Sequence, residues 1–436
     1  KIMKKCQLFF WMMILGVLVV ACNNVVEDTG SKDVDIPPGE TYTAQGKYHL
    51  NVVYFIPSDL DTLPLWHKRL SKITLYAQEF YLQSMKRYGF EKTFNLEVND
   101  DNPEYIRIRC IRSDKSVTDL KTCGDITQEV RAYFKGNPAE LNSNHFLVYI
   151  PQYDHSSAIT GAAIEKMNAS SDVYDCGMCV FGYDTETFDI RHIISDRARK
   201  RFLPYLGDLL QDLGSSFFLL PAAERASDPF YSIMGDNLSK FIGFGTTKGN
   251  PDSFRLSASD AMSLSEIQVF NDIDREYYQE RPEVTVEKWD LEFRNDTVFV
   301  ACEYRTPDEV VGIIIYNDLW RSYTGNIFTD EDHLSSTSLA SARDAMPYLI
   351  EDYFIEQLDG DLYRASITFP WTDVPIAWIA TKEAEIRARF IMKGGTFYPH
   401  TGDVNIKGDA AMRRSFSLDW SIGAKPDFSV PDRVVE

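Results

Sequence analysis

RARKRFLPYLGDLLQDLGSSFFLLP, residues Arg197–Pro221, places apolar side chains at Phe202, Leu206, Leu209, Leu210, Leu213, Phe217 and Leu220. The intervals are 4, 3, 1, 3, 4 and 3 residues, which is one face of an amphipathic helix. Asp208, Gln211, Asp212 and Ser215 share the opposite stripe, polar and small enough to line a cleft. The chain is expected to be organised around this helix.

The full chain of 436 residues is long enough for two or three domains, and 44% hydrophobic with 25% charged residues is ordinary for a soluble globular protein. Its first segment differs. Lys1, Lys4 and Lys5 precede an apolar run, Leu8–Ala21, too short to span a bilayer comfortably, so residues 1–21 read as a signal peptide. The end of that run, Leu18-Val19-Val20-Ala21-Cys22, resembles a bacterial lipobox, which implies cleavage before a lipidated Cys22. Residues 22–43 are polar, acidic and broken by Pro37-Pro38-Gly39, a flexible tether. The 45 basic residues less the three signal lysines leave 42 against 65 acids, a net charge of −23. That argues against nucleic acid as a partner, because phosphate binding needs a basic footprint. The expected partner is a lipid anchor in a bacterial membrane, with the protein at the cell envelope on either face of the outer membrane.

Past the signal and Cys22 the cysteines are Cys110, Cys123, Cys176, Cys179 and Cys302, an odd number, so at least one thiol is unpaired in the monomer. Cys110 with Cys123 is the disulfide expected in an oxidising compartment. Cys176-Gly-Met-Cys179 has redox-motif spacing but runs into Val180-Phe181-Gly182-Tyr183, a strand pattern, so redox catalysis is not expected. Cys302 falls on an inward-facing alternation and reads as a buried free thiol.

A strand at Leu50–Ile56, a long helix over Leu63–Tyr88, a strand at Tyr105–Cys110, a helix over Ile126–Phe134 and a buried strand at His145–Ile150 precede the central helix. This is an α/β layout with helices packed on a sheet. From about Arg281 alternating runs replace it, at Thr297–Tyr304, Val310–Tyr316, Tyr363–Phe369, Ile386–Ile391 and Arg414–Trp420, with tight turns at Asn295-Asp296 and Asp359-Gly360-Asp361. Their spacing predicts an all-β sandwich. The expected organisation is therefore residues 44–280 as one domain and 281–436 as a second.

From Leu206 onward the central helix resembles the active-site helix of metzincin-like zinc metallopeptidases, H-E-x-x-H-x-x-G-x-x-H. Here Gln211 and Ser215 stand at the helical histidines, Asp212 at the general base, Phe218 at the turning glycine and Pro221 at the third histidine. The resemblance extends to Tyr231-Ser-Ile-Met234-Gly235, similar to the Met-turn of that superfamily, and to Leu256–Leu264, similar to its closing helix with a Ser N-cap. It implies an α/β (α+β) peptidase-type domain whose metal site has degenerated. On that reading the helix ends at Pro221, with the Phe218 ring joining Phe217 in the core.

A catalytic zinc needs about three ligands from His, Cys, Asp or Glu, and of the motif positions only Asp212 qualifies. No cofactor is expected, zinc included. His145 in an apolar strand reads as structural, and His155 follows a strand in a loop. Asp208 and Asp212, one turn apart, read as a solvated polar face rather than a catalytic pair. Asp330-Glu331-Asp332-His333 reads as a solvated loop. Two functions remain. The first is a catalytically inactive peptidase-like lipoprotein that binds a peptide, protein or glycan. The second is a zinc-dependent metallopeptidase or other hydrolase with a rearranged site. The anchor has its own test: mass spectrometry of the mature chain should find an acylated N-terminus at Cys22, and an unmodified residue there would end the lipoprotein reading.

Overall fold

Val52, Tyr54 and Ile56 enter one apolar cluster while Val53 and Phe55 enter another, so this strand is buried on both faces of a sheet. The computed structural model describes residues 39–151, 159–167, 175–183, 196–235, 254–278, 282–318, 345–374, 383–399, 412–419 and 425–429. The signal segment, Cys22, the His155 loop and the Asp330–His333 cluster lie outside the described residues.

The first elements are β1 (Tyr42–Ala44), β2 (Asn51–Ile56), α1 (Trp66–Lys86), β3 (Glu97–Asn99) and β4 (Arg109–Arg112). They are followed by α2 (Cys123–Gly136), β5 (His145–Pro151), β6 (Gly161–Glu165), β7 (Cys176–Tyr183) and α3 (Asp196–Ser216). Next come β8 (Tyr231–Ser232), β9 (Phe254–Arg255) and α4 (Ala258–Glu266). The five-stranded sheet runs β4-β2-β5-β7-β6, parallel except for β6, which is antiparallel to β7 at the edge. On one face Leu70, Ile73 and Ala77 of α1 pack with Leu206, Leu210 and Leu213 of α3. Ile126, Val130 and Phe134 of α2 cover the other. Ser257 caps α4 by accepting from the Asp260 backbone N–H in a reciprocal capping box, as its sequence predicts.

The chain then forms β10 (Thr285–Arg294), β11 (Thr297–Arg305), β12 (Val310–Asp318), β13 (Met346–Glu351), β14 (Ile355–Asp359) and β15 (Leu362–Pro370). It continues through β16 (Glu383–Met392), β17 (Phe397–Tyr398), β18 (Arg413–Asp419) and β19 (Lys425–Asp427). Asn295 and Asp296 have φ of 51° and 55°, the paired left-handed residues that a two-residue hairpin between β10 and β11 requires. Two antiparallel sheets result, β10-β11-β15-β14 and β13-β12-β16-β18-β19, with β17 beside β16. Val300, Cys302 and Tyr304 from the first meet Ile313, Ile386, Ala388 and Phe390 from the second in one apolar cluster. The protein is thus mixed α+β and mostly strand.

The outer face of the second sheet is buried too. Ile314, Tyr316 and Ile391 join the cluster built by α1, α3 and α4, and all described residues fall in one compact unit, Pro38–Glu436. Arg389 shares that phase of β16. It is 1% exposed, lies 3.9 Å over the Phe397 ring and donates from Nη1 to the Phe218 carbonyl at 3.1 Å.

Three expectations need correction. The tether does not extend to 43, because Tyr42–Ala44 pairs antiparallel with Glu97–Asn99. The third strand starts at Arg109 rather than Tyr105. Ile106 makes only a single bridge to Val98, and Arg107 donates its backbone N–H to Glu97. The expected Cys110–Cys123 disulfide is not formed, since both are free thiols. Cys110 lies on β4 at one edge of the sheet, while the Cys123 thiol sits 3.8 Å from the Gly161 carbonyl on β6 at the other. Four strand spacings of about 4.8 Å separate those edges, roughly 19 Å, far beyond disulfide reach. Cys176 and Cys179 are also free, and their odd spacing on β7 sends them into different clusters. Cys302 is a buried free thiol, pushed up to about 12 by burial.

Candidate functional site

α3 runs to Ser216 rather than to Pro221. Its last turn closes when the Leu219 N–H donates to the Gly214 carbonyl at 3.1 Å and the Phe218 N–H to the Ser215 carbonyl at 2.9 Å. This is a Schellman motif, with Phe218 left-handed at φ 65° where glycine is the usual residue. A Cβ in that conformation costs about 1–2 kcal/mol. Packing holds it there. The Phe218 ring lies 5.1 Å from the His145 ring and 5.3 Å from that of Tyr278, and the residue is 1% exposed. The expected stop at Pro221 is therefore wrong. The helix ends by a left-handed turn five residues earlier, and Pro221 is simply buried in the segment beyond it.

Two glycines let neighbours approach the helix end. A Cβ on Gly214 would meet Met234 Sδ at 2.6 Å, so the buried Met234 sits directly against the middle of the motif. The Met234 carbonyl accepts from the Ala222 N–H at 3.0 Å, which ties this segment to the chain just past Pro221. A Cβ on Gly177 would meet the Ser216 carbonyl at 1.7 Å, so β7 presses against the end of α3. His145 Nδ1 donates to that carbonyl at 2.9 Å. Its Nε2 accepts from the Tyr278 hydroxyl at 2.8 Å, and the hydroxyl in turn accepts from the Gln268 N–H at 2.8 Å. This chain fixes one tautomer, and His145 is structural, as its apolar strand suggests.

The polar stripe is less open than its sequence implies. Gln211 is 7% and Ser215 9% exposed, while Asp212 is half-buried. Gln211 donates from Nε2 to the Gly235 carbonyl at 3.4 Å. Asp212 lies near enough to Tyr81, Cys123 and Cys179 for its charge to help raise their pKa values, after the larger effect of burial. An amide donating to a backbone carbonyl, a hydroxyl, a proline ring and one carboxylate do not make a zinc ligand set. Among the described residues no group of three or more His, Cys, Asp or Glu side chains gathers to hold a metal.

Tyr278 and Arg389 were not singled out from sequence. Arg389 alternates with Ile386, Ala388 and Phe390 in the same phase as Glu385 and Arg387, so the sequence reads it as a solvent-facing position. Tyr278 carried no signal, because its role depends on meeting His145 across 133 residues.

No protein-family profile matches the chain, and no curated protein matches it. Solved structures do. Wild-type OgpA from Akkermansia muciniphila aligns with a TM-score of 0.64 at 19% identity, over 90% of this chain and 99% of that one. A catalytically inactive OgpA in complex with an O-glycopeptide substrate, glycodrosocin, aligns with a TM-score of 0.64 at 20% identity, over 89% and 97%. At such identity the likeness is one of fold, and it extends through both halves of the chain.

Burial lowers His145 from 6.5 to about 4, partly offset by its bond to the Ser216 carbonyl. The folded state thus binds fewer protons than the unfolded one between these values, so this contribution is present above pH 6.5 and lost as pH falls through 4. Urea unfolding should show the wild type losing about 3 kcal/mol relative to His145→Gln between pH 7 and pH 4. Parallel losses in the two proteins would mean that His145 is not buried neutral.

Proposed function

We propose that the chain is a metallopeptidase-like binding protein that holds an O-glycosylated peptide without cutting it by zinc chemistry. The observation that carries this reading is the left-handed turn after α3, formed while Gln211, Asp212, Ser215 and Pro221 occupy the metal and base positions of the resembled motif. Fold likeness to OgpA, whose inactive form is solved with an O-glycopeptide, supports the ligand class. Strand β6, paired among the described residues with β7 alone and lying beside α3, offers main-chain groups to which an extended peptide can add. In this reading residues 44–280 are the metzincin-like part, with Met234 as its Met-turn residue and no zinc bound. The two sheets from residue 282 onward act as a β-sandwich that buttresses it. A lipid on Cys22 would hold the protein at the outer membrane, on its periplasmic face or at the cell surface.

Isothermal titration of the full mature chain with an O-glycopeptide and its unglycosylated counterpart, in the presence of zinc, tests the proposal. The glycopeptide should bind at least about tenfold more tightly, a difference of about 1.4 kcal/mol, and be recovered intact. A defined cleavage product that disappears with chelator and with Asp212→Ala would establish the rearranged-hydrolase reading instead.

A further inference from the structure

A pocket of about 450 Å³ opens between the segment that follows α3, the start of α4 and strands β13 and β15. None of Gln211, Asp212, Ser215 or Pro221 lines it, so it is distinct from the motif. Its size is that of a small-molecule site.

Two arginines line the pocket, and they differ in what they already hold. Arg225 is committed to Asp228, with three guanidinium contacts of 2.7 to 3.2 Å. Arg255, on β9, has its guanidinium centre 4.1 Å over the Phe230 ring and 5.9 Å from the Tyr88 ring. Its Nε is buried with no hydrogen-bond acceptor, and among the described residues no carboxylate pairs with it. The stacking orients a cation that no carboxylate of the pocket wall contacts directly among the described residues.

The carboxylates in the same wall do not supply the missing anion. Asp228 is neutralised by Arg225. Glu224 turns toward the Met234 segment, its Oε2 3.0 Å from the point where a Gly235 Cβ would lie. Glu351 ends β13 and is hydrogen-bonded with Tyr353. Pro347, Leu349 and Ile367 add apolar side chains to the lining, with Glu351 beyond Leu349 on the same strand. A preoriented guanidinium sharing a pocket with apolar side chains suits a carboxylate attached to an apolar body, because guanidinium pairs with carboxylate through two parallel hydrogen bonds.

We propose that this pocket binds a small carboxylate with an apolar body, held by Arg255. A peptide's C-terminal apolar residue and a free branched-chain acid both present that chemistry. The proposal does not depend on what the α3 motif does.

Titration calorimetry of the full mature chain with N-acetyl-leucine, N-acetyl-leucine amide and isovalerate tests it. N-acetyl-leucine should bind at least about tenfold more tightly than the amide, which keeps the shape and loses the charge. Tighter binding of N-acetyl-leucine than of isovalerate assigns the site to peptide ends, and the reverse order to free acids. Arg255→Met, which keeps an apolar chain over Phe230, should abolish binding. So should Leu349→Trp, which fills the pocket and leaves the charge in place. Equal affinity for acid and amide in the wild type would overturn the proposal without recourse to any variant. Binding by neither acid would overturn it too, as would undiminished binding by folded Arg255→Met.

Discussion

A guanidinium with almost no exposure, that of Arg389, donates to the carbonyl of Phe218 and joins the two halves of the chain at the turn that ends α3. Removing an arginine from water costs several kcal/mol unless its hydrogen bonds are replaced. Here burial is what draws Arg389 down to about 10, while a hydrogen bond with Tyr316 and the nearby Asp260 carboxylate favour its charge. The face of Phe397 covers the guanidinium. Asp260 is itself raised to about 6 by burial, offset by its bonds to Ser257 in the α4 capping box. A carbonyl, a phenol, a ring and a carboxylate from separate stretches of the chain therefore converge on one side chain of β16. The second sheet is not an appendage, because its outer face completes the core against which α3 rests.

The left-handed conformation of Phe218 follows from that convergence. Phenylalanine does not choose such a backbone unaided. His145 and Tyr278 flank its ring and Arg389 takes its carbonyl. The buried aromatic surface, worth about 2–3 kcal/mol, exceeds the conformational cost of the turn. The turn therefore needs neither glycine nor metal. Packing and one hydrogen bond set the backbone frame at the end of α3. Met234 against Gly214, and the Met234 carbonyl bound to Ala222, belong to the same frame.

Most of the architecture was legible because it rests on local pattern. The 3.6-residue spacing over Phe202–Phe217, the buried runs at Leu50–Ile56 and His145–Ile150, and the alternating runs at Thr297–Tyr304, Val310–Tyr316, Tyr363–Phe369, Ile386–Ile391 and Arg414–Trp420 all appear close to their expected bounds. The strands at Thr285–Arg294, Met346–Glu351 and Ile355–Asp359 were not read. What was misread depended on partners distant in sequence. The periodicity of α3 continues to Leu220, so only the left-handed φ of Phe218, imposed by His145, Tyr278 and Arg389, reveals the earlier stop. Cys110 and Cys123 are close in the chain, but the strand order puts them at opposite edges of a sheet, and strand order is not written in spacing. Gln211 and Ser215 are polar at cleft-like positions yet nearly buried, Gln211 because the segment carrying Gly235 packs against it. The Arg255 pocket had no sequence signature, since its walls come from stretches between Tyr88 and Ile367.

The central claim is that the left-handed turn after α3 forms at Phe218 by packing, while Gln211, Asp212, Ser215 and Pro221 supply no zinc ligand set. Zinc titration of one folded variant tests it most directly. Gln211→His, Asp212→Glu, Ser215→His and Pro221→His are introduced together and Phe218 is left in place. Because Phe218 already makes the left-handed turn, the account predicts one zinc bound per chain, with an affinity that adding Phe218→Gly does not improve. A folded four-fold variant that binds no zinc, or does so only once Phe218 is glycine, would contradict it.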